Sequence, residues 1–261
     1  ATPRSRRAPA TVGIAESLFA SCEVKRARPW RDRSLRCGGP FLSILVVGSV
    51  ALDSLKTPTG RRERTLGGAC TYFATAASLY QRVATVGVVG TDFPREHIEF
   101  LSSRNIDLRG LQVQEGKTFV WAGRYGEDMG DAETLDTQLN VFADFRPTIP
   151  RELRACEYVF LANIDPDLQI EVVRQMDKPR LIALDSMNYW ICSKRDALTR
   201  ALGLVDVVLL TEGEVRLYTG EANLFSAIRS ILALGPKALV IKRGRHGATL
   251  ATRRPDGNLG F

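Results

Sequence analysis

An α/β fold, a three-layer sandwich with a mostly parallel central sheet and a small β lid, is predicted by three observations. Apolar runs of strand length recur along the chain and are continuous rather than alternating, as in strands covered on both faces. Segments of helical length separate them, and a β-α alternation implies parallel strands with helices on both sides. Residues 111–146 break that rhythm with alternating, aromatic-rich stretches that belong to a second, smaller sheet.

In chain order, residues 43–50 (SILVVGSV) form the first buried strand. Residues 55–66 are polar, with Pro58, Gly60 and four charges from Arg61 to Arg64, and predict a short exposed hairpin. Small residues over 69–80 predict a tightly packed helix, residues 82–89 a second buried strand, and residues 94–104 a helix with Pro94 at its start. Residues 118–125 (TFVWAGRY) alternate as a strand, and after the polar turn EDMGDAE the run TLDTQLNVFADF reads as another. With the 55–66 hairpin these make the lid. Strands at 158–162, 181–185, 205–210 and 238–242 then alternate with helices around 167–177, 194–202 and 213–234.

With 261 residues, 44% of them apolar, the chain can bury the core of one large domain or two modest ones. Its net charge of +7 invites a nucleic-acid partner. Residues 1–40, however, hold nine Lys and Arg against three Asp and Glu, so the rest of the chain carries only +1. A basic excess confined to one end describes a tail and not a binding face, and no nucleic acid is expected. The five cysteines, Cys22, Cys37, Cys70, Cys156 and Cys192, are odd in number and lack CxxC spacing, which fits a reduced, cytoplasmic compartment. No apolar run approaches the roughly 18 residues of a membrane span, so no membrane partner is expected. The compositional break near residue 41 separates a basic extension over 1–40, read as disordered or artefactual with targeting as the alternative, from a domain over 41–261.

Polar residues gather where the strands end, the edge at which open α/β sheets bind ligands. They are Asp53, Asp92, Asn163 with Asp165, Asp185 with Asn188, and Thr211 to Glu214. Any one of these acids is an ordinary cap or turn residue; five successive strands ending this way point to a site. The pair Gly67-Gly68, opening the run GGACTYFATAAS, lets the main chain approach a ligand and starts a helix whose first N–H groups are expected to be unpaired. No GxGxxG opens the first helix, which argues against a dinucleotide-binding oxidoreductase.

The segments VVGSVALD, LGGACTYFATAAS, VATVGVVGTDF, GKTFVWAGRY, DTQLNVFADF, LANIDPDLQ, LDSMNYW and VIKRGRHGATL, in that order over about residues 43–252, resemble the ribokinase or PfkB superfamily of carbohydrate and nucleoside kinases. Within it they are similar to a bacterial nucleoside-kinase-like subgroup. The resemblance implies a ribokinase-like sandwich, phosphoryl transfer from ATP with Mg2+ to a hydroxymethyl group of a sugar or nucleoside, and a lid that excludes water and can pair two subunits. It implies that Asp53 hydrogen-bonds ligand hydroxyls, that Gly67 and Gly68 let the sugar lie against backbone, and that Phe119 and Trp121 pack either on the ligand or within the lid interface. Asn163 and Asp185 would line the floor between acceptor and phosphate sites. Glu214 would organise Mg2+ through water, with Thr211 standing where the family has the Asn of Asn-x-x-Glu. Lys242, Arg243, Gly244 and Gly247 would lie beside the nucleotide; without the resemblance, KRGRHG is a basic strand-end turn. Tyr72 occupies a position where many members carry an Asn that reaches the sugar, a difference of specificity.

The family's Gly-Ala-Gly-Asp turn supplies an anion hole and the general base. No such run occurs in the 261 residues. The expectation is a kinase domain incomplete at its C-terminus, with its base beyond Phe261, little or no transfer by these residues alone, and apolar sheet surface left uncovered. A short pseudokinase that binds a sugar or nucleoside, or regulates through it, is the alternative.

Overall fold

A computed structural model describes residues 43–127, 129–130, 132–254 and 256–261, so the reading of residues 1–40 lies outside the described residues. The chain passes through β1 (Ser43–Val47), β2 (Ala51–Thr57), β3 (Gly60–Gly67), α1 (Ala69–Ala77), β4 (Arg82–Gly90), α2 (Arg95–Ser103), β5 (Ile106–Gln114), β6 (Phe119–Arg124) and β7 (Glu133–Gln138). It continues through β8 (Tyr158–Leu161), α3 (Pro166–Gln175), β9 (Leu181–Asp185), α4 (Asn188–Ser193), α5 (Arg195–Leu202), β10 (Val207–Thr211), α6 (Glu212–Thr219), α7 (Leu224–Leu232), β11 (Ala238–Lys242), β12 (Ala248–Arg253) and β13 (Leu259–Gly260).

Nine strands form the central sheet in the order β13-β12-β11-β10-β9-β8-β1-β4-β5, and four form the lid in the order β3-β2-β6-β7. The central strands pair parallel except β12 and β13, which run antiparallel at one edge. Alternate residues of the continuous apolar runs feed two cores. Leu45, Val47, Val159 and Leu161 join residues of α3, α5, α6 and α7 on one face. Val46 and Phe160 join Cys70, Ala74 and Leu101 of α1 and α2 on the other. The mixed α/β architecture predicted from the sequence is thus present, with its second small sheet.

Several expectations need correction. Residues 106–114 pair parallel with β4 at the edge of the central sheet, so the lid does not begin at residue 111. The run TLDTQLNVFADF is a strand only to Gln138; Asn140–Phe142 then turn into a 3-10 segment, because Val141, Phe142 and Phe145 recur at helical rather than alternating spacing and bury Phe142 and Phe145. The first hairpin starts at Ala51 rather than 55, which puts Asp53 inside a lid strand. The helix read over 213–234 is also two. Gly220 ends α6 in the left-handed region at φ +73°, and Asn223 caps α7 by accepting from the Ser226 N–H. Likewise, a separate short α4 precedes α5.

Candidate active site

The lid stands over the carboxyl ends of β1, β8, β9, β10 and β11, and between them lies a cleft of about 1110 Å³. Asp53, Gly68, Tyr72, Phe119, Trp121, Asn163, Asp185, Thr211, Glu214, Lys242, Arg243 and Gly244 all line it. Gly67 and Gly247 do not border it. Asp92 is also elsewhere: its Oδ1 accepts from the Thr118 N–H and hydroxyl, both at 2.7 Å, and its Oδ2 takes Arg64 at 2.9 Å, so it braces the lid against β4. Asp165 caps α3 and pairs with Lys194 at 2.6 Å.

At one end, Asp53 is 6% exposed, and its carboxyl is pushed from its ordinary 3.8 up to about 6 by burial, against the Tyr72 hydroxyl and the Gly68 N–H, which lower it. Tyr72 donates to Asp53 Oδ2 at 3.4 Å and is itself half exposed. The two glycines have different reasons. A Cβ on Gly67 would overlap the Asp53 carboxylate, and one on Gly68, at φ +93°, would strike the Ser49 carbonyl. Gly67 therefore makes room for the acid rather than for a sugar, a correction to the sequence reading. A second correction concerns the N–H groups of α1. Ala69 N–H donates to Ser49 Oγ at 3.1 Å and Cys70 N–H to the Ser49 carbonyl at 3.1 Å, so Ser49 takes donors expected to be unpaired.

The floor comes from β8 and β9. Asn163 donates to Met187 Sδ at 2.9 Å, and its Oδ1 is buried with no protein partner among the described residues, as is Ser186 Oγ. Beneath them Gln169 of α3, fully buried, donates its amide to the carbonyls of Leu161, Ala162 and Asp185 at 3.2, 3.1 and 3.0 Å, and so ties the two strand ends together.

Toward the other end, Lys242 Nζ lies 2.7 Å from Asp185 Oδ1. Burial holds the Asp185 and Glu214 carboxyls above the usual carboxylate range, against the pull of Lys242. Burial alone would lower the Lys242 ammonium, but the two acids outweigh it and hold it above its ordinary range. Glu214 and Thr211 form a capping box: Glu214 Oε2 accepts the Thr211 N–H at 2.6 Å while Thr211 Oγ1 accepts the Glu214 N–H at 3.1 Å. The threonine at the family's Asn position thus serves the helix. Arg243 pairs with Glu212 at 3.1 Å. Gly244 and Gly247 sit at φ +53° and +82° with nothing within 4 Å of where a Cβ would stand, so their turn leaves backbone open, and Gly247 is required by its backbone conformation rather than by a cleft contact.

Sequence reasoning missed Ser49, Ser186, Met187, Tyr125 and His246, which also line the cleft beside Asn188 and Glu212, two of the polar residues expected there. For Ser186 and Met187 the signal was their place directly after Asp185; for Tyr125 it was its phase with Phe119 and Trp121, one residue past the end of β6.

The sequence profile of the pfkB family carbohydrate kinases matches residues 43–260. The cytidine kinase of Thermococcus kodakarensis is 31% identical over 210 residues, covering 79% of this chain and 75% of that one. Among solved structures, the nucleoside kinase of Burkholderia thailandensis in complex with inosine superposes with a TM-score of 0.65 at 16% identity, over 83% of this chain and 74% of that one. The nucleoside kinase of Methanocaldococcus jannaschii, a ribokinase-family member, gives 0.63 at 17% identity over 83% and 75%. These two likenesses establish the fold. Among the described residues no helix is long and apolar enough to cross a membrane.

Proposed function

The chain belongs to the pfkB family of carbohydrate kinases, phosphotransferases with alcohol acceptors, and on that premise we propose that its cleft moves a phosphoryl group from ATP to a hydroxymethyl group of a sugar or nucleoside. One observation carries this reading. Acid and cation stand at opposite ends of a single cleft, Asp53 on lid strand β2 and Lys242 at the end of β11, with Asn163 and Asp185 at the ends of the strands between. A carboxylate accepts two hydrogen bonds from neighbouring hydroxyls, so Asp53 holds the polyol, with Gly68 backbone and Tyr72 beside it. The likeness to a cytidine kinase supports a nucleoside among the possible acceptors.

The donor end suits a polyphosphate. Lys242 and Arg243 bring positive charge, and the open backbone at Gly244 admits a nucleotide closely. Magnesium would neutralise charge on the phosphates. Among the described residues no three His, Cys, Asp or Glu side chains converge as metal ligands, so Glu214, with one oxygen committed to its helix cap, would hold the ion through water. Asn163 and Asp185 orient the acceptor between the two ends, and the lid excludes competing water. The open edge strands β3 and β7 of the lid suit the pairing of two lids in a homodimer, within a reduced, cytoplasmic setting.

A second reading is that the cleft binds a sugar or nucleoside without transferring phosphate. Calorimetry with nucleosides and pentoses, paired with a coupled ATP-consumption assay, separates the two. Binding with turnover supports the kinase reading and binding without turnover the second. Failure of every nucleoside and sugar to bind rejects both.

A further inference from the structure

Two aromatic residues of β6 face the cleft and differ in their commitments. Phe119 is 6% exposed and stacks on Phe142 with ring centroids 5.0 Å apart, so it belongs to the lid-to-body packing. Trp121 is only partly buried and lines the cleft. Its indole is seated by its own strand: a Cβ on Gly123 would overlap the benzo edge of the ring, so only glycine two residues on lets the ring lie along the strand. Its Nε1 donates to Thr134 Oγ1 of β7 at 3.3 Å, which fixes the ring's rotation. The register then places this plane beside the acid. Asp53 of β2 is the direct partner of Trp121, and Gly123 that of Thr134. Directly paired residues on neighbouring strands share one face of a sheet and lie about 5 Å apart, which matches the separation between a polyol and a planar ring joined to it by one bond.

We infer that Gly123 and Thr134 seat Trp121 as a stacking platform for the base of a nucleoside whose hydroxyls are held by Asp53, so that this lid face selects nucleosides over free sugars. The inference rests on the proposed reading of the cleft and narrows its acceptor. A free pentose would satisfy Asp53 and leave the indole without a partner; a base on the same ring covers it. Stacking of a base on an aromatic side chain tolerates base identity because every base presents a π face, so the platform selects the class and not the base.

Calorimetry with cytidine and with ribose on the wild type, Trp121→Leu, Trp121→Phe and Gly123→Ala tests this. The wild type is expected to bind cytidine at least about tenfold more tightly than ribose, and Trp121→Leu to remove most of that preference. Trp121→Phe should restore part of it, and Gly123→Ala, which lifts the indole, should reduce it several-fold. Reading the ratio of the two ligands cancels any general loosening of the lid. A wild type that binds ribose as well as cytidine, or a preference unchanged in Trp121→Leu, overturns the inference while leaving the cleft's function standing. A wild type that binds neither ligand overturns the inference, and only if no other nucleoside or sugar binds does the reading of the cleft fall with it.

Discussion

Gly67 and Asp53 share one volume: the Asp53 carboxylate lies where a Cβ on Gly67 would be. The two residues lie diagonally across the lid hairpin's base, Gly67 pairing with Ala51 and Asp53 with Thr65. Gly67→Ala is therefore expected to push the carboxylate out of place without straining the backbone of residue 67. Nucleoside affinity should fall by about tenfold or more, as when a charged hydrogen bond is lost, with a stability loss of about 1–3 kcal/mol from overpacking. Calorimetry and urea denaturation on the same variant check the two effects.

Asp53 gives this site its pH dependence. Its folded value of about 6 lies above the ordinary 3.8, so the folded state binds the proton more tightly. The stability that this contributes is full below pH 3.8 and is lost as pH rises through about 6. Asp53→Asn escapes the loss and should be more stable than the wild type at pH 8, by up to about 3 kcal/mol, while matching it near pH 4. Ligand affinity runs the other way. The ionised carboxylate accepts the hydroxyls, so wild-type affinity should decline below about pH 6. In Tyr72→Phe the midpoint of that decline should move up, because the tyrosine hydrogen bond lowers the Asp53 value. Denaturation series and binding titrations from pH 4 to 8 decide this, and equal stability of Asp53→Asn and wild type at pH 8 would sink it.

At the end of β11, Lys242 is the cation for two acids held above their ordinary range, 2.7 Å from Asp185 and acting on Glu214. Lys242→Met leaves both without it. With Lys242 40% and Asp185 12% exposed in their side chains, the cost should lie between surface and buried values, about 1–3 kcal/mol. It should grow with pH as the acids ionise. Adding Asp185→Asn should recover part of it, a coupling that a double-mutant cycle measures.

These residues show which parts of the molecule were legible in sequence and which were not. The central sheet was, because strands covered on both faces are written as unbroken apolar runs. That Asn163 and Asp185 share one cleft was legible from strand ends, although the same reading took in Asp92 and Asp165, which lie outside it, and Lys242 was placed by the resemblance. What was not legible depends on pairing. That residues 106–114 lie beside β4 is decided by register, and so is the neighbourhood of Asp53 and Trp121. The function of Gly67 as a space for Asp53, and that of Ser49 as the acceptor for α1, need three dimensions, since each involves residues at least 14 apart in sequence. Glu214 was read through the resemblance as organising Mg2+ through water, with Thr211 at the family's Asn position; their spacing is equally that of a capping box, and the hydrogen bonds observed are those of the cap.

One face of β10 to β12 carries apolar residues that are not fully buried. On β10 to β12, Val208, Leu210, Leu239, Ile241 and Ala251 are buried, while the alternate residues Val207, Leu209 and Val240 are only partly so and Leu250 is 53% exposed. Val240 and Leu250 are direct cross-strand partners, so they form a continuous patch. Such a face favours association. Leu250→Lys should lower self-association in light scattering and reduce binding of a hydrophobic dye, with stability changed by less than about 0.5 kcal/mol as for other exposed positions. Unchanged scattering would place the association elsewhere.

Gln169 offers the sharpest separation of scaffold from site, because it touches no ligand-facing atom yet bonds to three carbonyls at the ends of β8 and β9. Gln169→Leu keeps the bulk and removes the donors. Leaving buried carbonyls unpaired should cost about 2–3 kcal/mol and let the strand ends carrying Asn163 and Asp185 spread, weakening nucleoside binding. Gln169→Glu tests the hydrogen bonds themselves. A glutamate buried among carbonyls is held above its usual range and, while protonated, donates one bond. Its affinity relative to wild type at each pH should therefore approach that of the wild type as pH falls from 8 to 6, whereas the same ratio for Gln169→Leu should stay flat. Parallel curves for the two variants would mean that Gln169 acts through packing alone.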